Sequence, residues 1–308
     1  MKGFIKKTVI PILLIVFTTY IIINPYCLIH SVEYSTELFV YNIFPTLFPF
    51  FIISEFLTNY KITYIIGKAL KKIIGNLFKI SEEESFAFLL SIFSGQPSNA
   101  KYIKDLLDNK KTSLNNASNL LCYTFFPSPM FIIGTIGILF YDDINIGYII
   151  LISVYVTNII LGIFFRNKNE VLYNNISSTI TLPFGELMQK SITNAFNTLI
   201  LILGSMTIFI ILTNTIISMF NFNFYIETFI NSFLEITGGC KKISLLEISL
   251  NLKIILTCFI LSFGGFCIHS QVKSILYNYK FEYKKVIFFR LLASIISLII
   301  SYVLIFII

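Results

Sequence analysis

The sequence predicts an all-α polytopic membrane protein, built as an inverted repeat with two re-entrant helical hairpins and broken helices. Three observations carry that prediction. First, 56% of the 308 residues are hydrophobic and only 13% are charged, against about 25% charged in an ordinary soluble domain. With a mean hydropathy of +0.82, most of the outer surface must face lipid rather than water. Second, two apolar runs end in polar, helix-breaking stretches: Ser94-Gly95-Gln96-Pro97-Ser98-Asn99-Ala100 behind residues 86–93, and Phe263-Gly264-Gly265-Phe266-Cys267-Ile268-His269-Ser270-Gln271 behind residues 252–262. Paired interruptions of this kind in two halves of a chain point to a carrier's binding site near the bilayer midplane. Third, the pattern N-x-F-x-T-L occurs at Asn42 and again at Asn194, each time followed by an apolar run closing on Thr-Asn (Thr58-Asn59, Thr213-Asn214). Such biased composition also produces chance matches, so the repeat rests on the order of the motifs as much as on their letters.

Composition excludes several classes. The five cysteines (Cys27, Cys122, Cys240, Cys258, Cys267) are scattered and lack metal-ligand spacing, so neither a disulfide framework nor a metal site is expected, and no cofactor motif is present. The formal charge of +7 comes without a basic helix or module free of the apolar runs. It reads as positive-inside loops rather than a nucleic-acid partner.

Taken in order, residues 1–41 read as an N-terminal transmembrane helix (8–23, after the basic start Lys2, Lys6, Lys7) and an outer loop holding Glu33 and Glu37. The start resembles a secretory signal, but Asn24-Pro25-Tyr26-Cys27 offers no small-x-small cleavage site. Residues 42–166 form the first repeat. It opens with an inward span over 42–57, entered through Pro45 and Pro49, where proline suits a helix start or kink. Residues 61–80 space five lysines helically among apolar residues and predict an interfacial amphipathic helix. Ser81 caps the next helix, with Glu82, Glu83 and Glu84 in its first turn. The apolar part of that helix is far shorter than the roughly 20 residues a span needs, so 82–111 reads as the first re-entrant hairpin. Residues 116–140 are long enough to cross, but Phe126-Pro127-Ser128-Pro129 must kink or split them. Residues 144–165 return inward.

Residues 167–190 read as a cytoplasmic linker, and residues 191–308 as the second repeat with the last transmembrane helix. Within it, 191–219 run outward and 221–235 form a short aromatic interfacial helix. Thr237-Gly238-Gly239 is a break, and 252–285 read as the second hairpin, entered from outside. The basic residues from Lys2 to Lys190 fall on the inner side. The cluster Lys280, Lys284, Lys285, Arg290 falls outside, against the charge rule, unless the second hairpin is a full crossing.

Five motifs resemble one known group, the YlbJ-type sporulation integral membrane proteins with their nucleoside-recognition gate domain. They are Phe44-Pro45 with Pro49-Phe50; Ser94-Gly95-x-Pro97-x-x-Ala100-Lys101; Ser128-Pro129-x-Phe131-Ile132; Phe233-Leu234-Glu235-Ile236-Thr237-x-Gly239; and Phe263-Gly264-Gly265 with Gln271. The resemblance implies a fold related to the concentrative nucleoside carriers. It also implies a place in the mother-cell-derived outer forespore membrane and movement of dipicolinate across it. Gln96, Ser98 and Asn99 stand where the family often has an aromatic or small residue, and Cys267 where it often has Ser.

Chemistry at the breaks follows from the missing solvent. Backbone groups freed in lipid must be met by protein or a wet cavity, and half-helix N-termini there present donors and a positive dipole end suited to a carboxylate. The expected substrate-binding residues are Ser94, Gly95, Gln96, Pro97, Ser98 and Asn99 on the first break. Ser128, Thr237 and Gly238 belong to the intervening breaks, and Gly264, Gly265, His269, Ser270 and Gln271 to the last. The same glycines and prolines also fit tightly packed, kinked helices with no ligand. Glu235, ionisable within an apolar stretch, is the candidate for coupling a proton or sodium ion, and reads equally as a headgroup-level carboxylate. Glu55 is a weaker case, and Lys101 reads as an interfacial lysine that snorkels. His269 beside Ser270 is no catalytic pair, because adjacent helical residues do not face each other and no orienting acid accompanies them. No enzyme is expected. The functional expectation is membrane transport of a small organic anion, dipicolinate by resemblance. The alternatives are a nucleoside-type transporter and a non-transporting sporulation assembly protein, and a homo-oligomer is compatible with either.

Overall fold

The computed structural model describes residues 10–60, 62–166, 182–220 and 222–307, and these are helical with no strand among them. Four of the described helices are long and apolar enough to cross a membrane: Ile144–Phe164, Phe184–Phe220, Leu250–Ile275 and Tyr283–Ile307. A fifth span is offered by Pro25–Ile43 with Leu47–Asn59, bent by 48°.

Helix α1 (Ile10–Ile23) is followed by α2 (Pro25–Leu38), which occupies the stretch the sequence assigned to an outer loop. Its acids mislead because they lie on one face only. Glu33 and Glu37 are exposed, whereas Ser31 and Ser35, a turn apart, are fully buried. Ser31 accepts from Asn214 Nδ2 at 2.9 Å, and Ser35 lies 2.9 Å from the Thr207 hydroxyl, so a polar seam joins α2 to a later long helix. A wide π-type turn, Phe39–Ile43, leads into α3 (Phe44–Asn59), with Pro45 in the first turn, where a missing N–H leaves no gap. The amphipathic stretch is helical as expected: α4 (Ile62–Leu70) runs on through Lys71–Gly75 and Asn76–Phe78, and Lys79 ends it in a left-handed conformation.

Next comes a helical hairpin, α5 (Glu82–Ser94) and α6 (Ser98–Asp108), whose arms pack on each other. Ser81 caps α5 in a reciprocal capping box with Glu84, at 3.2 and 2.8 Å. The Thr112 hydroxyl donates to the other Glu84 oxygen, closing the hairpin's base. The proline-rich stretch then divides the crossing expected over 116–140 into α7 (Leu114–Tyr123) and α8 (Phe131–Phe140), which do not fold back on each other, and α9 (Ile144–Phe164) follows. Residues 167–181 of the expected linker lie outside the described residues. The rest of that linker is already helix: α10 (Phe184–Phe220) has 37 residues and is about 55 Å long.

The second half departs from expectation at one point. Residues expected as an interfacial helix form α11 (Phe224–Leu234), the first arm of a second hairpin. Its second arm is α12 (Ile236–Ser244), and an ion pair between Lys242 and Glu227 at 2.7 Å ties the arms at their base. The chain reverses at Glu235, not at Gly264-Gly265. There α13 (Leu250–Phe263) and α14 (Gly265–Ile275) continue as one 26-residue candidate span, kinked at the left-handed Gly264. The physical reason is that α14's polar residues have partners inside the bundle. His269 and Gln271 are buried, so the polar stretch needs no return to water. Helix α15 (Tyr283–Ile307) is the last of the described helices.

This crossing moves the late basic cluster. Tyr279, between α14 and α15, donates to Asp108 at the end of α6, and Lys285 donates to Asn119 of α7. At the same end of the molecule, Arg166 donates to Leu77 O at 3.2 Å and the Phe165 and Phe289 rings meet at 4.5 Å. Lys273, Lys280, Lys284 and Lys285 therefore join the lysine-rich end that bears the base of the first hairpin, leaving Lys241, Lys242 and Lys253 at the other.

Helix contacts come in matching pairs. The second arm of each hairpin packs on the second half of the other half's broken span (α6 on α14, α12 on α8). The unbroken span of each half packs on the first half of the other's broken span (α9 on α13, α15 on α7).

Candidate functional site

Both hairpin turns and both broken spans meet at a central cavity of about 740 Å³, counting its mouth. Ser94, Gln96 and Pro97 line it from the first turn and Glu235, Ile236 and Thr237 from the second. Pro127, Ser128 and Phe131 come from the first broken span and Cys267, Ile268 and Gln271 from the second, while the start of α3 and the middle of α10 close the sides.

Glycine is required where the breaks touch. Gly95, with φ +78° and ψ −168°, has a conformation that L side chains rarely adopt, and a Cβ there would lie 2.4 Å from Ser128 N. A Cβ on Gly264 (φ +93°) would lie 2.7 Å from the Phe125 ring and 3.4 Å from Gln96 Oε1. First turn, first break and second break are thus in direct contact, and the Gly265 Cβ position lies 3.6 Å from Ile236 in the second turn.

Several carbonyls at the breaks find side-chain donors, as a lipid-embedded backbone demands. The Tyr155 hydroxyl lies 2.7 Å from Ile92 O in the first hairpin and 2.9 Å from Pro127 O. Asn158 Nδ2 donates to Phe125 O at 3.4 Å. Arg290, fully buried, donates to Cys122 O and, at 3.4 Å, to Ser262 O. His269 Nε2 donates to Phe263 O at 3.0 Å, and its Nδ1 lies 3.0 Å from the Tyr283 hydroxyl. Sequence reasoning missed Tyr155, Asn158 and Arg290 as site residues. The available signal was a lone arginine inside the apolar run of α15, which the sequence reading took as a boundary charge.

The two hairpin turns differ chemically. At the second, Glu235 caps α12 with both oxygens, accepting from Thr237 N at 2.9 Å and Gly238 N at 2.7 Å, so that positive helix end already holds a carboxylate. At the first, the N-cap of α6 is Pro97, which supplies no side-chain cap. Buried beside it, both amide atoms of Gln96, Ser98 Oγ and Asn99 Oδ1 have no hydrogen-bond partner. Asn99 Nδ2 reaches Thr124 at 3.4 Å.

Of the expected site residues, the structure brings Ser94, Gln96, Pro97, Ser128, Glu235, Thr237 and Gln271 to the cavity wall. Gly95, Gly264 and Gly265 form the contacts behind it, Gly238 serves in the Glu235 cap, and Ser98 and Asn99 lie buried in the first turn of α6. Ser270 is half-buried and does not line the cavity, and His269 is a satisfied polar contact at the second break. Lys101 does not snorkel: it is buried, with Nζ 3.4 Å from Glu55 and 3.2 Å from Asp105, while Asn194 of α10 donates to the same Glu55 oxygen at 2.8 Å.

Residues 40–142 match the family described as Gate, nucleoside recognition. This range runs from the π-type turn before α3 through the first hairpin and the first broken span. The chain is similar to the sporulation integral membrane protein YlbJ of Bacillus subtilis strain 168. The identity is 24% over 292 aligned positions, covering 82% of this chain and 71% of the relative. No solved structure matches. The Gate match at residues 40–142, the similarity to YlbJ and the several helices long and apolar enough to cross a membrane agree with the resemblance that the sequence motifs carry, that of a sporulation integral membrane protein with a nucleoside-recognition domain.

Proposed function

We propose that this protein carries a small organic anion, dipicolinate, across the outer forespore membrane. The anion sits in the central cavity with a carboxylate at the N-terminus of α6. One observation carries the reading: that helix end is uncapped and is surrounded by the partnerless polar atoms of Gln96, Ser98 and Asn99. Backbone N–H groups and the positive dipole end are matched to a carboxylate, and buried polar groups without partners in a native protein call for an absent ligand or water. The other helix end at the cavity is taken by Glu235, so the site offers one free anion-binding end rather than two.

Glu235 in the same wall would repel a dianion unless its charge is offset. A proton or sodium ion bound at Glu235 together with the anion removes that conflict, which makes this residue the coupling site. The matched contacts of the two halves and the bases of the two hairpins at opposite ends support an inverted repeat, with hairpins entering from opposite faces and meeting at the cavity. Nucleoside transport is the second reading, favoured by the Gate family match: Gln96, Glu235 and Gln271 supply the carboxylate and amides that ribose hydroxyls bind.

Uptake of labelled dipicolinate into vesicles holding the purified protein, with nucleosides as competitors, tests the proposal. Uptake above empty vesicles that nucleosides do not suppress is the expected result. Suppression by nucleosides would favour the second reading, and no uptake by folded protein would overturn both.

A further inference from the structure

We propose that Arg290 is a positioning residue that holds the two broken spans together at their breaks, and with them the substrate cavity. Its side chain is fully buried and makes no ion pair among the described residues. Instead the guanidinium reaches carbonyls in the last turn of two different half-helices, Cys122 O in α7 and Ser262 O in α13, each one residue before the helix end. These are corresponding places in the two halves. Each helix C-terminus carries about half a negative charge, so two of them together are balanced by one guanidinium. The planar fork of arginine reaches two acceptors at fixed separation, which the point charge of a lysine does not.

The clamp reaches the cavity through one ring. The guanidinium carbon lies 5.2 Å from the centroid of Phe125, and that ring fills the space over Gly264, beside Gln96. On its other contacts Phe125 stacks with His269 at 5.4 Å, which holds Phe263 O at the same break. Arg290 does not line the cavity. It sets the position of residues that do, and it balances the two negative helix ends beside the breaks.

This inference rests on the transport reading for its consequence but not for its geometry, so the test has two arms. In purified full-length protein, amide hydrogen exchange at residues 124–128 and 262–266 is compared between wild type, Arg290→Lys, Arg290→Met and the control Lys285→Met. The expected result is exchange at least tenfold faster at both breaks in Arg290→Lys, with α9 and the hairpin bases unchanged and Lys285→Met like wild type. Should Arg290→Met fail to fold, Arg290→Lys decides. Wild-type exchange at either break in folded Arg290→Lys, or faster exchange spread evenly over the molecule, would overturn the clamp. In vesicles, Arg290→Lys is expected to raise the KM for dipicolinate several-fold with a smaller change in maximal rate, and an unchanged KM with loosened breaks would overturn the positioning role. Absence of wild-type uptake would count against the transport reading alone, because the exchange result needs no substrate.

Discussion

Gln96 presents a side-chain amide to the cavity with neither polar atom partnered, and that pairing of position and dissatisfaction separates binding from folding. Leaving a buried polar group unmatched costs about 1–3 kcal/mol. Gln96→Leu is therefore expected to keep or raise the unfolding temperature while weakening dipicolinate binding at least tenfold. A variant that loses stability and binding in parallel would mean that Gln96 is packing, not contact. Glu235 behaves oppositely, since its carboxylate serves two backbone donors. Glu235→Gln turns one acceptor into a donor facing an N–H, at a cost of about 1–2 kcal/mol for the lost cap. If Glu235 is the coupling site, uptake driven by an imposed ion gradient becomes insensitive to that gradient in this variant, whereas unchanged gradient dependence would remove it from the coupling path. Glu235 was legible in the sequence because a carboxylate in an apolar stretch stands out alone. Tyr155, Asn158 and Arg290 were not, because their role depends on which distant carbonyls the fold brings beside them.

At the level of elements, glycine separates turns that matter from those that do not. Gly95 is held in a left-handed conformation against Ser128, and a Cβ there meets backbone at 2.4 Å, while Gly204 in α10 has nothing within 4 Å of its Cβ position. Gly204→Ala is expected to stabilise the protein by about 0.5–1 kcal/mol, the usual helix-interior difference. Gly95→Ala is expected to part the first turn from the first break and abolish binding. Equal tolerance of both in thermal unfolding and binding assays would contradict the close packing of the breaks. The first hairpin is also tied down on its outer side by Lys101, which joins α6 to α3 through Glu55. With partners partly exposed, a double-mutant cycle of Lys101→Met and Glu55→Gln should give a coupling of about 1 kcal/mol, and a coupling near zero would show that the pair is incidental. The first hairpin could be read from its capping signals and its short apolar run. The second could not be placed, because Thr237-Gly238-Gly239 and Gly264-Gly265 are equally good breaks on paper. What decides between reversal and kink is whether the polar residues that follow find buried partners, and His269 and Gln271 do.

Across the whole molecule, two hairpins and two broken spans converge on one cavity, and α13–α14 as a crossing gathers most of the described basic side chains at one end. That agrees with the positive-inside rule better than a second hairpin at Gly264 would. An impermeant thiol reagent applied to intact cells is expected to label Asp142→Cys and Glu247→Cys, and to reach Asn109→Cys and Lys280→Cys only after permeabilisation. Labelling of Asn109→Cys and Lys280→Cys from opposite sides would return the Gly264 break to a hairpin. The fold class was legible from composition, since lipid as solvent leaves few architectures open. The convergence of four breaks was not, because it is a property of packing between halves far apart in the chain. The most direct measurement of the central claim is a calorimetric titration of dipicolinate into the solubilised wild type, Gln96→Leu and Ser270→Ala, the last of which lies off the cavity. Binding by wild type and Ser270→Ala, weakened at least tenfold in Gln96→Leu, is the expected result. No binding by the wild type, or equal binding by all three, would contradict it.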